Sequence, residues 1–166
     1  MTLQDLSASL YNCQRCKLAK LGRTQVVFGT GNPNASIMFV GEAPGFNEDQ
    51  QGEPFVGAAG KLLNQLLESA GLSRSQVYIA NVIKCRPPNN RDPEQDEVDT
   101  CKPFLLQQIE LIKPKLVCTL GNWATQTILE KKVGITKVKG QASRLERFVV
   151  FPLLHPAAAL HQGNLL

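Results

Sequence analysis

The chain has 166 residues, of which 43% are hydrophobic and 19% are charged, and its net charge is +4. This size and composition suit one globular domain with its own hydrophobic core, and they exclude a small scaffold that needs a metal or disulfides in order to fold. The N-terminus lacks the apolar core of a signal peptide, and no stretch approaches the roughly 20 apolar residues of a membrane span. We therefore expect a cytoplasmic protein with no membrane partner.

Short apolar runs predict buried β-strands in four places. They cover residues 35–40, 77–83, 116–120 and 148–151. Between the first two runs, apolar residues from Ala58 to Ala70 recur at helical spacing, and Gly71 supplies a helix stop. This strand, helix and strand form a β-α-β unit, in which the two strands pair in parallel.

Two further helices are predicted downstream. The first has Asp92 as its N-cap and Pro93 at its first position, and Pro103 is expected to bend or end it. The second is capped by Asn122 and runs through Leu129. The alternation of strands and helices predicts an α/β fold: a three-layer α/β/α sandwich with a central, mostly parallel four-stranded sheet.

Polar and glycine-rich motifs follow these strands, where ligands bind in parallel sheets. Residues 41–45 (GEAPG) follow the first strand, Asn81 lies within the second, and His155 follows the last. Each has an ordinary structural interpretation: a β-α turn, a satisfied amide and a histidine bonded to a backbone carbonyl. A buried amide without partners costs roughly 1–3 kcal/mol, however. Convergence of the three at one edge of the sheet favours a functional site.

Four of the five cysteines form two pairs. Cys13 and Cys16 are separated by two residues, whereas Cys85 and Cys101 lie in a predicted loop and helix. In a reducing compartment such thiols are more often ligands than disulfides. Zinc and an iron-sulfur cluster both accept four thiolates, and the spacing does not decide between them. Cys118 lies in an apolar strand and is interpreted as a core residue.

Taken together, these motifs resemble the family 4 uracil-DNA glycosylases, the iron-sulfur branch of the uracil-DNA glycosylase superfamily. In chain order the resemblance rests on Cys13-x2-Cys16, GEAPG at 41–45, GxPFVGxAG at 52–60, NVxKCRPP at 81–88, Asn90-Arg-x-Pro93, Cys101 and His155-Pro156. It covers nearly the whole chain and implies a single uracil-DNA glycosylase-like domain over residues 1–166. Family members generally continue into a further helix, so we expect this chain to lack that C-terminal helix. We also expect a monomer.

The resemblance implies a cofactor and a base-reading pair. By resemblance, the ligands of a structural 4Fe-4S cluster would be Cys13, Cys16, Cys85 and Cys101. Phe55 would stack on a uracil flipped out of single- or double-stranded DNA. Asn81 would read the O4 and N3–H edge of uracil, which cytosine presents with donor and acceptor exchanged.

The implied reaction is hydrolysis of the N-glycosidic bond, which leaves an abasic site for base excision repair. His155 would donate a hydrogen bond to O2 of the leaving uracil anion, helped by backbone N–H groups of the turn that contains Gly41, Glu42 and Ala43. The best-known branch of the superfamily has a water-activating Asp where this chain has Ala43. Glu42 is therefore expected to orient water or the pocket, and the general base stays open.

DNA contacts are also implied by the resemblance. Lys84, Arg86 and Arg91 would contact phosphates, and the segment after His155 would enter the minor groove. Relatives usually have a Leu-Leu-Arg run there, whereas this chain has Leu160 between an alanine and a histidine. Leu160 would be the wedge that supports base flipping.

Other functional classes predict different properties. A catalytically silent iron-sulfur DNA-binding or polymerase-associated module on the same fold would bind DNA without turnover, and the intact Asn81 and His155 argue against it. An electron-transfer protein would need neither residue. A relative that captures the sugar covalently would carry a histidine ahead of the last strands, and this chain has none before His155. The predicted function is therefore that of a monofunctional uracil-DNA glycosylase.

Overall fold

The computed structural model describes residues 1–132 and 134–161, except for the side chains of residues 159–161. The helices are α1 (Leu3–Ser9), α2 (Phe46–Gln51), α3 (Ala58–Ser69), α4 (Gln95–Ile112), α5 (Asn122–Leu129), α6 (Ile135–Val138) and α7 (Pro156–His161), with short 3-10 turns at Lys17–Lys20 and Pro88–Asn90. The strands are β1 (Thr30–Gly31), β2 (Ile37–Gly41), β3 (Tyr78–Asn81), β4 (Leu116–Leu120), β5 (Ser143–Arg144) and β6 (Val149–Leu153). None of the described helices is long and apolar enough to cross a membrane.

The strands form one sheet in the order β1-β3-β2-β4-β6-β5. The four predicted strands are its centre and pair in parallel, as expected. The prediction of four strands in total is wrong, because β1 and β5 add an antiparallel strand at each edge. Each edge strand has two residues, which is too short to show an alternating hydrophobic pattern.

Successive side chains of β2 enter two cores on opposite faces of the sheet. Met38 packs in a buried cluster that includes Leu105 of α4, whereas Phe39 packs in a second cluster that includes Leu63 of α3. This alternation follows from the two-residue period of a strand. Because both faces are covered by helices, the predicted three-layer α/β/α sandwich is confirmed.

The start of α4 differs from the prediction. Its N-cap is Glu94 rather than Asp92, and the capping partner is Glu97, whose carboxylate accepts from the Glu94 N–H at 2.9 Å. Glu97 is fully buried and its carboxylate is also bound by both terminal nitrogens of Arg91. The ion pair between buried Glu97 and partly exposed Arg91 therefore fixes the helix start at a position that cap preferences alone do not indicate.

Two other helix predictions are wrong at least in part, since α4 does not end at Pro103 and Asn122 is not an N-cap. Pro103 lies inside α4 and does not end it, because the helix on both sides of the proline is packed in the core through Val98 and Leu105. Asn122 is the first residue of α5 rather than its cap, and its Oδ1 accepts from the N–H of Ile135 at 2.8 Å. In both cases tertiary contacts override the local preference.

Candidate active site

The carboxyl ends of β2 and β3 form the centre of the site. Gly41 and Asn81, the last residues of these strands, are partners in the sheet register. A Cβ at Gly41 would lie 2.5 Å from Asn81 Oδ1 and 2.6 Å from the ring of Phe55. The absence of a side chain at Gly41 thus leaves a slot that is bordered by an amide and an aromatic face.

Asn81 has an unused acceptor in this slot. The residue is only 2% exposed, and its Oδ1 has no hydrogen-bond partner among the described residues. A buried acceptor without a donor is costly, and in native proteins such atoms are few. The amide is therefore prepared to accept a hydrogen bond from a planar ligand that enters the slot.

His155 follows β6 and lies against Phe55. Their ring centroids are 5.5 Å apart, and the ring planes are inclined by 28°. His155 Nδ1 accepts from the N–H of Ala157 at 3.1 Å, so the proton of the neutral ring is assigned to Nε2. Burial lowers the pKa of His155 to about 4, although the charge of Glu48 opposes this shift. At neutral pH the side chain is therefore an uncharged N–H donor.

Glu42 is held at the start of α5 beside the histidine. Its Oε2 accepts from the N–H of Trp123 at 3.0 Å. Gly121 separates the two side chains, since a Cβ there would lie 2.7 Å from Glu42 Oε2 and 3.3 Å from His155 Cβ. Burial raises the pKa of Glu42, and the hydrogen bond from Trp123 partly offsets this effect. The structure thus brings Glu42 and His155 to the same rim.

The backbone of the turn after β2 is fixed by β3. The carbonyls of Gly41 and Glu42 accept from the N–H groups of Val82 and Ile83 at 2.9 and 3.1 Å. Ala43 is partly buried against the core. These bonds continue the strand pairing beyond the sheet, so the turn and Asn81 keep a constant relative position.

Glu48 is a site residue that the sequence motifs did not reveal. Its two carboxylate oxygens accept from the backbone N–H groups of Gly45, Val56 and Gly57 at 2.9, 3.0 and 2.9 Å. One side chain therefore ties the turn after β2 to the loop that carries Phe55. The three-residue spacing from Gly45 to Glu48 is that of a capping box and is the signal that could have identified it.

The four paired cysteines border a single small cavity of about 20 Å³. Two arginines approach their sulfurs: Arg15 donates to Cys13 Sγ at 3.3 Å, and Arg23 donates to Cys85 Sγ at 3.2 Å. Burial raises the pKa of Cys85 to about 11, and the Arg23 charge counteracts this. Cations beside thiols favour the thiolate, which is the form that binds metals. The donor set around this cavity thus fits a thiolate-bound group.

All five cysteines are free, and Cys118 is a buried core residue as predicted. Across residues 1–132 and 134–161, no group of three or more His, Cys, Asp or Glu side chains is arranged to hold a metal ion. The four thiols share a cavity without closing on one point.

The proposed phosphate contacts are not equally available. Lys84 is buried, and its Nζ donates to the carbonyl of Asn81 at 2.7 Å and to Gln108 Oε1 at 2.5 Å. The prediction that Lys84 contacts phosphate is therefore wrong, because the preceding strand directs it into the core. Arg91 forms an ion pair with Glu97 and is partly exposed, so its phosphate contact stays a prediction.

Arg86 remains on the surface near the site. Its Nε donates to Asn90 Oδ1 at 2.7 Å, and its guanidinium lies 5.3 Å from the ring centroid of Phe46. Phe46 follows the turn after β2 and is 53% exposed. The backbone of Leu160 lies in α7, but its side chain is outside the described residues.

Residues 28–165 match the family model of the uracil DNA glycosylase superfamily. A type-4 uracil-DNA glycosylase of Sulfurisphaera tokodaii is 51% identical, over 99% of this chain and 78% of the relative. Type-4 enzymes of Archaeoglobus fulgidus and Thermotoga maritima are 46% and 47% identical, over 99% and 98% of this chain and 86% and 85% of the relatives. The resemblance that the motifs indicated is confirmed: the chain belongs to the type-4 uracil-DNA glycosylases.

Proposed function

We propose that this chain removes uracil from DNA by hydrolysing the bond between the base and its sugar. The observation that carries the proposal is the unpaired Asn81 Oδ1 in a slot bordered by Gly41 and Phe55. A flat heterocycle with an N–H donor on its edge satisfies that acceptor, and uracil has such a donor at N3. Family membership supplies the substrate class.

Base selectivity follows from the direction of the hydrogen bonds. Asn81 Oδ1 accepts from N3–H of uracil, and the amide group donates to O4. Cytosine places an acceptor at N3 and a donor at N4, so both bonds to Asn81 would be mismatched. Phe55 stacks on the flipped base, because its ring borders the same slot.

His155 stabilises the leaving group. Water adds to C1′ of the sugar and loses a proton to solvent, the C1′–N1 bond breaks, and the electron pair of that bond leaves with uracil as an anion with charge on O2. The neutral Nε2–H of His155 donates to that oxygen, and burial of the ring strengthens the interaction. Glu42, fixed by the Trp123 N–H, orients the attacking water. We assign no general base.

The proposed cofactor is a 4Fe-4S cluster held by Cys13, Cys16, Cys85 and Cys101, which border one cavity. When bound, it supplies a cross-link between the N-terminal segment, the loop after β3 and α4, with no redox step in the reaction. Arg15 and Arg23 approach its ligand sulfurs and offset the thiolate charge. Five free thiols suit the reducing cytoplasm, where we place the protein.

DNA binding is proposed for the rim around the slot. Arg86, which our prediction named, lies over Phe46, a residue that follows the turn after β2. A cation over an exposed aromatic ring offers a phosphate contact and a stacking face together. We propose that the single domain acts as a monomer on single- or double-stranded DNA.

The test is cleavage of an end-labelled oligonucleotide that contains one uracil, as a U:G pair and as a single strand, followed by alkali to break abasic sites. The proposal predicts a band at the uracil position and none with a thymine control. Bound DNA without a band, from protein that contains iron, would favour the silent DNA-binding module instead. Iron and sulfide analysis of the same sample tests the cluster separately.

A further inference from the structure

Phe55 has an unusual backbone conformation for an aromatic residue. Its φ is +54°, in the left-handed region that bulky residues seldom adopt. Such a conformation costs free energy and persists only where surrounding contacts enforce it. The side chain is nevertheless placed against the Gly41 slot, where its ring atoms would contact a Cβ at that position. Some group must therefore hold this loop.

Glu48 binds the N–H groups that follow Phe55, and Arg74 binds the carbonyls on either side of it. Arg74 lies between α3 and β3 and is partly buried. Its Nη2 donates to the carbonyl of Pro54 at 2.7 Å, and its Nη1 donates to the carbonyl of Phe55 at 2.9 Å. Nη1 also donates to Asn64 Oδ1 of α3 at 3.2 Å. The planar guanidinium thus binds two successive carbonyls on both sides of the strained residue through two nitrogens in a fixed relative geometry.

The start of α3 closes the other side of the same loop. A Cβ at Gly60 would overlap the carbonyl of Phe55, so only glycine permits the helix to approach this closely. Asn64, one turn further along α3, orients the guanidinium. Arg74 and Gly60 therefore both act on the Phe55 peptide, although neither contacts the Gly41 slot itself in the bonds described.

We propose that Arg74 is a positioning residue for base recognition: it holds the Pro54 and Phe55 carbonyls so that the Phe55 ring stays parallel to the uracil slot. This inference rests on the proposed function. This role of Arg74 differs from a general stabilising role because it is exerted through one side chain, the ring of Phe55. Loss of Arg74 should impair steps that need the stacked base and spare binding steps that do not.

The experiment compares Arg74→Met and Arg74→Lys with the wild type. Because small displacements of aligned groups cost on the order of 100-fold in rate, we expect Arg74→Met to lower the single-turnover rate on uracil DNA by about 10- to 100-fold. Inhibition by free uracil should weaken by a similar factor. Affinity for DNA with an abasic site, which has no base to stack, should stay within about twofold of the wild type. Arg74→Lys, which keeps the charge but replaces two planar nitrogens with a single ammonium nitrogen, should fall between the two.

A double-mutant cycle separates positioning from folding. In a Phe55→Ala background, Arg74→Met should have little further effect on rate, because the ring that it positions is gone. Additive losses, or an unchanged rate and uracil inhibition in Arg74→Met, would overturn the inference. If Arg74→Met does not fold, the same cycle is run with Arg74→Lys and is judged by the same two outcomes. An inactive wild type would instead refute the proposed function.

Arg144→Met is the matched control, since Arg144 is exposed on β5 at the far edge of the sheet. Its rate, uracil inhibition and abasic-DNA affinity should match those of the wild type. A loss of stacking-dependent steps in this variant as well would contradict the assignment to Arg74, because removal of any arginine would then have the same effect.

Discussion

At the scale of single residues, the proposed role of His155 depends most on its protonation state. Its pKa is lowered to about 4 by burial, from an ordinary value of 6.5. The ring is therefore neutral throughout the physiological range, and the Ala157 N–H occupies Nδ1. We expect the single-turnover rate to show no inflection near pH 6.5, and the ¹⁵N shifts of His155 to report a neutral ring down to about pH 5.

The second histidine must be removed to read this clearly, so the measurement uses a His161→Gln variant. An inflection near pH 6.5 in that variant would contradict a neutral donor.

The lowered pKa of His155 also affects stability. The unfolded chain binds a proton at His155 below about pH 6.5, whereas the folded chain does so only near pH 4, so stability decreases as the pH falls through that window. His155→Ala should lower turnover by about 100- to 1,000-fold while DNA affinity changes little.

The site residues divide into those that the sequence could indicate and those that it could not. Asn81 could be predicted, because an amide within an apolar strand needs an explanation. Glu48 was marked only by its capping-box spacing to Gly45, and nothing in the sequence indicates its bonds to Val56 and Gly57. Arg74 could not be predicted, because it binds backbone carbonyls of a distant loop. A bond from a side chain to a carbonyl leaves no residue-type signature at its partner. The left-handed φ of Phe55 is hidden for the same reason.

At the scale of elements, Lys84 links the end of β3 to α4. Its ammonium bonds the Asn81 carbonyl and Gln108 Oε1 in the core. Lys84→Met keeps the length but leaves these two acceptors unpaired. We expect the free energy of unfolding to fall by about 1–3 kcal/mol, measured by denaturant titration at equal iron content.

The control is Lys115→Met, because Lys115 is exposed. It should change stability by less than about 0.5 kcal/mol. Equal stability of the Lys84 and Lys115 variants would show that the buried bonds of Lys84 contribute little. If Lys84 contacted a phosphate instead, Lys84→Met would weaken DNA affinity to an extent that depends on the salt concentration. Its stability would then be unchanged.

The elements themselves were predicted where packing and pattern agree. The four central strands and α3 show clear periodicity, and the structure confirms them. The two edge strands and the start of α4 depend on partners elsewhere in the chain: β1 and β5 exist because β3 and β6 have free edges, and Glu97 fixes the helix start through Arg91. The residues near these elements in the sequence do not indicate those distant contacts.

At the scale of the whole molecule, the four-cysteine cavity joins three parts of the chain. Cys85→Ser removes the thiol that Arg23 contacts. We expect the variant to lose iron and visible absorption, and to show faster proteolysis of the N-terminal segment and of the loop after β3. Cys118→Ser is the control, since that thiol lies in the core on the other face of the sheet. Unchanged iron in Cys85→Ser would mean that the ligand set is wrong.

The ordered motifs predicted the family, and the comparisons confirm it. They also predicted that Gly41, Asn81 and His155 converge at one edge, because parallel strands place their carboxyl ends at the same edge of a sheet. The charged surface was harder to predict. Lys84 and Arg91 stand in a basic motif, yet both bind partners within the protein, which the sequence pattern does not reveal.

The most direct test of the account is the base preference of Asn81→Asp. Single-turnover rates are measured on matched oligonucleotides that contain one uracil or one cytosine opposite the same partner. The wild type should release uracil and leave cytosine intact, whereas Asn81→Asp should gain release of cytosine, because a protonated carboxyl donates where the amide accepts. An unchanged preference for uracil in the variant would contradict the claim that Asn81 reads the base.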